Sequence, residues 1–398
     1  MRDVLVLCPQ PRDLALLAGF EGRYRIRYAG TDLDADGDFD PVAFLDSVAA
    51  VPADGVVGTK DRSALLAALV AERRGLPGPT PAALLACQHK PTSRELQRAV
   101  VPEATPAFAL LDDASPAFAP PFFAKPVVGR LSQGALRIGS TADLDRLRDP
   151  GYADAYAAIA ELAGLPPEAT RGFLAERLLH GLEVTLEGFV HRGRVTVIGI
   201  TDSVKYPGTN SFERFEYPTR LEPGRRAELA DVTRRLLPAL GFDGGFFNVE
   251  LFVPDRGPAQ IVEINGRIAS QFAPLVEALH GRSTYDALLA LACGDDPCWD
   301  EEEPDGAAIS YCLRTFQDSF VAAVPEPEDG LEVLVRPGLW LSQQGTNDVG
   351  SYRLAIFTEV GETREEAVAR CLARAAALRF ELVPPPLPLP LARLVTRA

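Results

Sequence analysis

Apolar residues cluster along the chain in two rhythms. The stretch DVLVLC (3–8) is an unbroken apolar run between polar flanks, and DGVVGT (54–59) repeats the pattern. Both have the length and β-branched content of buried strands. DRSALLAALVAERRGLPG (61–78) has helical spacing and stops on Gly-Leu-Pro-Gly. This alternation predicts a small open α/β unit over residues 1–88, Rossmann-like in topology although no GxGxxG is present. HKPTSRELQRAV (89–100) reads as a helix with Pro91 in its first turn. A Pro-rich linker follows, then a short strand ending at Lys125-Pro126, a polar Gly-containing loop and another strand; residues 141–170 are Ala-rich and read as helical. Residues 173–202 give three strand-like runs with a turn at His191–Arg194, and a helix is predicted at about 224–240. FFNVELFV (246–253) and QIVEIN (260–265) flank the turn sequence PDRGPA. Further on, GSYRLAIFTEV reads as a strand, GETREEAVARCLARAAAL as a helix and PPPLPLPL as an extended tail. The fold class is α/β, α+β in part.

Composition narrows the function. At 398 residues the chain suits several packed subdomains rather than one core. A formal net charge of −15 argues against nucleic acid or an anionic membrane surface as partner, because phosphate backbones demand clustered Lys and Arg. No uncharged apolar stretch reaches the roughly 18 residues that span a bilayer. The opening residues lack the apolar core of a secretory signal. Six cysteines are scattered without CxxC pairs, and there are four histidines. The reading is reduced thiols in a cytoplasm, without structural zinc. The loop DLDADGDFD (32–40) imitates the start of an EF-hand, but its twelfth position is Ala43 where a bidentate Glu is needed, so it reads as a solvated acidic loop.

The two flanking strands carry the most informative chemistry. If they pair as a hairpin centred between Arg256 and Gly257, Glu250 lies opposite Glu263. The strand period of two then puts Val249, Leu251, Val262 and Ile264 on one face. Asn248, Glu250, Glu263 and Asn265 fall on the other. Like charges facing each other destabilise a hairpin unless a proton or cation neutralises them. Oxygen-only ligands suit Mg²⁺ or Mn²⁺. Gly266 and Arg267 follow at once, Gly266 being expected to turn the chain. Elsewhere, Lys125 ends an apolar strand, and the loop after it offers Gly129, Ser132, Gln133 and Gly134 as small, donor-rich phosphate contacts without a Walker A pattern. Lys90 and Lys205 are further cationic candidates. Glu183 stands seven residues after Glu176 at a strand start, placed to accept both hydroxyls of a ribose. The backbone at Arg177–Leu178 is placed to meet an adenine edge. Each lysine or glutamate taken singly also fits an exposed or salt-bridged surface residue.

In this order the segments HK (89–90), AKPVVGRLSQG (124–134), AERLLHGLEV (175–184), NVELFV (248–253) and VEINGR (262–267) resemble the ATP-grasp superfamily. The likeness is greatest to its biotin-carboxylase-like and amino-acid-ligase branches. It covers about residues 88–295. It implies three units: an N-terminal α/β domain (1–88), the ATP-grasp domain (89–295) with a mobile lid at about 120–175, and a C-terminal α+β appendage (296–398). By that resemblance Lys90 and Lys125 contact the ATP phosphates while the 129–134 loop closes over them. Glu176 with the Arg177–Leu178 backbone meets the adenine, and Glu183 the ribose. Glu250, Glu263 and Asn265 hold one or two Mg²⁺ ions, and Arg267 faces the transferred phosphate. Lys205 falls where several members carry a γ-phosphate lysine. A homodimer is a tendency of the family.

One departure discriminates between branches. Biotin carboxylases follow Asn-x-Arg with a run that handles bicarbonate, whereas IASQFAP stands here and offers neither carboxylate nor imidazole. The expectation is therefore an ATP-dependent ligase joining a small carboxylate to a small amine, such as amino acids or a dipeptide, through an acyl phosphate. A carboxylase-like enzyme and a nucleotide-binding protein without turnover are the alternatives. Specificity is expected in the loops 206–215, 270–275 and 342–351, with Arg214 or Arg353 as candidates to bind a substrate carboxylate.

Overall fold

The computed structural model describes residues 1–33, 39–111, 118–130, 133–148, 151–300, 302–345, 347–348 and 350–385. The centre of the acidic EF-hand-like loop and most of the Pro-rich tail lie outside these residues.

The N-terminal strands β1 (Arg2–Leu7), β2 (Tyr24–Ala29) and β3 (Gly55–Val57) form a parallel sheet in the order β2-β1-β3. Parallel neighbours need crossovers, supplied here by α1 (Pro11–Leu17) and α2 (Pro41–Val48). Val4, Leu5, Val6 and Leu7 are all fully buried, as a central strand covered on both faces requires. The predicted helix is α3 (Asp61–Arg74), which ends on Gly75 at φ 62°, a conformation that is costly with a Cβ. Next come α4 (Pro81–Gln88) and α5 (Lys90–Val100), the latter with Pro91 in its first turn.

A four-stranded antiparallel sheet comes next in the chain. It contains β4 (Phe108–Leu111), β5 (Phe122–Pro126), β6 (Leu136–Ile138) and β7 (Phe173–Glu176) in the order β4-β7-β5-β6. The stretch expected to be helical throughout, 141–170, contains one α-helix, α6 (Tyr152–Leu162), flanked by short 3₁₀ turns. Gly151 and Gly164, at φ 76° and 92°, stop the helix at both ends; alanine content alone overstated its length.

The long strands are β8 (Leu182–His191), β9 (Arg194–Lys205) and β10 (Phe212–Tyr217), then β11 (Gly245–Val253) and β12 (Gln260–Asn265) after α7 (Pro223–Ala239). Helices α8 (Ala273–His280) and α9 (Thr284–Ala292) precede β13 (Ala307–Thr315), β14 (Phe320–Ala323), β15 (Leu331–Val333), β16 (Asn347–Asp348) and β17 (Ser351–Gly361). The last described elements are α10 (Arg364–Ala377) and β18 (Glu381–Val383). Among the described residues nine strands form one sheet, β12-β11-β8-β9-β10-β13-β17-β15 with β16 on β17; β14 pairs with β18. Strand β13, beyond residue 295, pairs with β10 before it, so this sheet runs through that point without a break.

One apolar core connects the α/β unit to the long sheet. It includes Leu65, Leu69 and Leu84 on the helices and Val184, Leu186, Val249, Leu251, Ile261 and Ile264 on β8, β11 and β12. That packing claims one face of these strands and leaves the polar face to the cleft. Among the described residues, no helix is long and apolar enough to cross a membrane.

Candidate functional site

Strands β11 and β12 pair antiparallel with Asn248 opposite Asn265, Val249 opposite Ile264 and Glu250 opposite Glu263. The register then slips, and Leu251 faces Ile261. Val262 is the extra residue of a β-bulge, and Ile261 takes the core position that strict alternation gave to Val262. The bulge turns the Val262 carbonyl toward two buried cations. It accepts from Lys125 Nζ at 2.9 Å and Arg94 Nη2 at 2.7 Å.

The paired carboxylates are left in conflict. Desolvation, then the charges of Glu263 and Glu183, push the Glu250 carboxyl above its ordinary range, with Arg267 and Asn265 opposing. Asn265 Nδ2 donates to Glu250 Oε1 at 3.2 Å and to Asn248 Oδ1 at 2.9 Å. Arg267 Nη2 donates to Asn265 Oδ1 at 3.3 Å. Among the described residues no three His, Cys, Asp or Glu side chains form a metal-binding group. What is present is two facing carboxylates and an amide oxygen on one strand face, an oxygen-only set with surplus negative charge. That chemistry fits a hard divalent cation. Gly266 has a packing role: a Cβ there would lie 2.6 Å from Leu84 Cδ2 and 3.0 Å from Phe242 Cε2.

Cations reach this pair from two other elements. Lys90, at the start of α5, lies 3.6 Å from Glu263 Oε2, and its backbone N–H donates to Val127 O at 3.0 Å. Lys125, at the end of β5, is buried and pairs with Glu176 Oε2 at 2.9 Å. Burial lowers the Lys125 ammonium to about 8 even with Glu176 opposing. Arg94 Nε holds the other Glu176 oxygen at 2.7 Å. Burial alone raises the Glu176 carboxyl, but Lys125 and Arg94 outweigh it and the net shift is downward. Glu176, expected at the adenine, is thus the centre of a buried ion-pair network. Arg94 was not singled out in the sequence, although it stands four residues after Lys90 on one helix face, with Gln97 three further on.

The other expected contacts are distributed as follows. Arg177 is exposed with its N–H bonded to Ala107 O at 3.1 Å, and Leu178 is half-buried. Gln133 donates its backbone N–H to Arg130 O at 2.9 Å, and Gly134 sits at φ 73°, forming a turn; Ser132 lies outside the described residues. Glu183 and Lys205 meet in an ion pair at 2.6 Å. The Lys205 ammonium lies 5.4 Å from the Phe212 ring centroid and 5.6 Å from that of Phe252. These two side chains and Phe252 line an open cleft of about 700 Å³ that continues to Arg220 and Arg225. Arg214 is engaged with Glu216, at 2.8 Å, and Glu213.

The segment after VEINGR is pinned residue by residue. Arg267 Nε donates to Asp61 Oδ1 at 2.9 Å, which ties the site to the start of α3. Ala269 N–H donates to Glu187 Oε1 at 2.8 Å. Ser270 Oγ donates to Asp13 Oδ1 at 3.1 Å, where the Tyr285 hydroxyl also bonds. Gln271 Nε2 donates to Ser310 Oγ at 3.1 Å and Cys312 Sγ at 3.2 Å. Glu187 is buried, its Oε2 has no hydrogen-bond partner among the described residues, and burial raises its carboxyl to about 8. Asp61, Asp13 and Glu187 escaped the sequence reading. The one signal for Glu187 was its period-two relation to Glu183 on the same strand.

Residues 118–274 match the family model described as an ATP-grasp domain. This stretch is an ATP-grasp domain. It contains the lysine of β5, the ion-pair network's Glu176 and the whole carboxylate hairpin. The ATP-grasp fold extends to the chain as a whole. The L-amino acid ligase from Bacillus licheniformis aligns with a TM-score of 0.77 over 96% of this chain and 98% of that one, at 17% identity. The biotin carboxylase domain of the Hydrogenobacter thermophilus 2-oxoglutarate carboxylase, solved with MgADP and bicarbonate, gives 0.72 over 96% and 91%, at 14% identity. Phosphoribosylglycinamide synthetase from Anaerococcus prevotii gives 0.69 over 96% and 99%, at 14% identity. At these identities the likeness is one of fold. No curated protein matches the chain by sequence.

Proposed function

We propose that this ATP-grasp protein is an ATP- and Mg²⁺-dependent ligase that joins a small carboxylate to a small amine through an acyl phosphate. The observation that carries the reading is the hairpin register. It sets Glu250 against Glu263 beside Asn265, facing Lys90 and Lys125 from separate elements and Arg267 from the next turn of chain. In this reading Mg²⁺ is held by Glu250, Glu263 and Asn265 and supplies neutralisation of the phosphate charge. Lys90 and Lys125 bind phosphate oxygens, with Ser132, Gln133 and Gly134 covering them. The Arg177–Leu178 backbone beside Glu176 meets the adenine, Glu183 takes the ribose, and Lys205, ion-paired with Glu183, faces the γ-phosphate. Arg267, steadied by Asp61, faces the group in transfer.

The chemistry needs no protein nucleophile. A substrate carboxylate oxygen bonds to the γ-phosphorus as the bond to ADP breaks. The amine nitrogen then attacks the acyl carbon, phosphate departs with its bridging oxygen, and the amine loses a proton. Repulsion between the anionic partners is the main obstacle, and fixed cations offset it. Residues 120–175 would shield the acyl phosphate from water as a lid, between an N-terminal domain at 1–88 and an appendage at 296–398. The reading implies small-molecule partners and a cytoplasmic setting.

The test is ADP and phosphate release with panels of carboxylates and amines. Glu263→Gln and Lys125→Ala should abolish it; full turnover in both variants would overturn the site assignment. Incorporation of labelled bicarbonate would point to carboxylation instead.

A further inference from the structure

A small cavity lies between strand β12 and the first turns of α3, α5 and α6. Its volume is about 20 Å³, room for one water-sized atom, and its walls include Asp61, Gln88, Lys90, Tyr152, Glu263 and Asn265. Most of their polar groups are engaged. Gln88 accepts from the Tyr156 hydroxyl at 2.8 Å and donates to Asp61 O at 2.9 Å. The Asp61 carboxylate holds Arg267, and the Asn265 amide donates to Glu250 and Asn248. Three groups remain: the Glu263 carboxylate, the Lys90 ammonium 3.6 Å from it, and the Tyr152 hydroxyl.

Tyr152 opens α6 and is only 7% exposed, yet its hydroxyl has no hydrogen-bond partner among the described residues. Buried hydroxyls are nearly always bonded, and an exception calls for a reason. The ring itself is firmly held. Tyr156 stacks on it with centroids 5.9 Å apart, and the guanidiniums of Arg62 and Arg130 lie 5.6 and 5.5 Å from its centroid. Arg62 belongs to α3, and Arg130 to the loop that covers the phosphates in the ligase reading. Burial, and after it the Asp61 charge, holds the phenol above its ordinary range, so it keeps its proton and serves as a donor. The charge of Arg267 reaches the same hydroxyl. A hydroxyl donor and an ammonium on the walls of one water-sized space suit a single anionic oxygen.

We propose that Tyr152 is a further catalytic residue, its hydroxyl donating to one oxygen of the phosphoryl group in transfer, which this cavity seats beside Lys90. As the γ-phosphorus bonds to the substrate carboxylate oxygen, the bridging oxygen departs with ADP and keeps the electron pair. The phenol lends a hydrogen bond to a phosphoryl oxygen throughout and never gives up its proton. The inference rests on the ligase reading for the reaction, but its binding test does not.

Thermal unfolding of the full chain is measured alone, with MgADP, and with MgADP plus orthovanadate as the phosphoryl mimic. The parent should gain a rise in Tm from vanadate beyond that from MgADP. Tyr152→Phe should keep the MgADP shift and lose most of the vanadate increment. Its Tm without ligand should equal or exceed the parent's, because the hydroxyl has no bond there to lose. Tyr156→Phe breaks the bond to Gln88 and should show the reverse, a lower Tm with the vanadate increment kept. In ADP release, Tyr152→Phe should lower kcat about tenfold or more, the worth of one hydrogen bond to a charged group, and leave the KM for ATP and for the carboxylate unchanged. A parent that gains nothing from vanadate overturns the proposal. So does a Tyr152→Phe protein that keeps the increment, loses Tm without ligand or fails to fold, since the hydroxyl would then be structural. Unaltered ADP release by Tyr152→Phe overturns it too and leaves the ligase reading standing. A vanadate increment lost in Tyr152→Phe, with no ADP formed from any carboxylate and amine, supports the seat and counts against the ligase reading.

Discussion

Glu250→Gln should make the protein more stable and less able to bind its metal nucleotide. The substitution keeps shape, and the new amide oxygen can still accept from Asn265 Nδ2, now at 3.2 Å from Glu250 Oε1. What it removes is one of two carboxylates in direct cross-strand register. Such a pair costs up to about 1 kcal/mol when solvated and more where water is excluded. Glu250 is half-buried, so a gain of about 1 kcal/mol is expected, or a rise of about 1–3 °C in Tm for a chain of this size. The sign with pH follows from the shift. The folded state raises the Glu250 carboxyl above its ordinary 4.5, so its contribution to stability is full below that value and is lost as pH rises through the raised one. Glutamine does not ionise. The advantage should vanish near about pH 5 and be largest at about pH 9. Thermal unfolding at both values, with and without MgADP, measures both effects. A tenfold loss of nucleotide affinity removes about 1.4 kcal/mol of ligand-induced stabilisation. A variant less stable than the parent at alkaline pH, or one stabilised as strongly by MgADP, would refute the reasoning.

Three other outcomes are expected. Arg94→Met removes a buried partner of Glu176 and a donor to the Val262 carbonyl, and should cost about 3–5 kcal/mol in denaturant unfolding. Glu187→Gln should match the parent in acid and exceed it in base: the Glu187 carboxyl is raised to about 8 from 4.5, so the parent loses stability between those values as pH rises. The slope of that loss, at most about 1.4 kcal/mol per pH unit, should disappear from the variant's unfolding curve. Lys205→Met breaks a partly exposed ion pair with Glu183 and should change stability by less than about 1 kcal/mol. It should raise the KM for ATP about tenfold, read from ADP release.

The hairpin was legible because its information is local. A turn sequence and a period of two are enough to set Glu250 against Glu263, and the observed register agrees. The bulge was not legible, since Ile261 and Val262 are equally apolar and only tertiary packing decides which enters the core. The same distinction separates the cations. Lys125 ends an apolar strand and stands out in the sequence, whereas Arg94 sits among polar neighbours on a short helix. Its burial depends on Glu176 and Val262, 82 and 168 residues away. Asp61, Asp13 and Glu187 belong to contacts across comparable distances in the chain, where a single sequence has no pattern to show.

The arrangement of charges also explains why the carboxylate pair stays unsettled. Lys125 is close enough to share the Val262 carbonyl, one residue from Glu263, yet its charge is committed to Glu176. Arg94 is committed there too, and Arg267 is drawn to Asp61. Lys90, at 3.6 Å from Glu263, stands at the outer limit of ion-pair distance. If these cations neutralised Glu250 and Glu263 directly, the apo protein would be more stable, but a metal ion and polyphosphate would have to break those pairs on entry. Glu176 and Asp61 are paired with Lys125, Arg94 and Arg267, so that one pair of carboxylates remains short of positive charge. Stability is given up at the point where the proposed ligand supplies it.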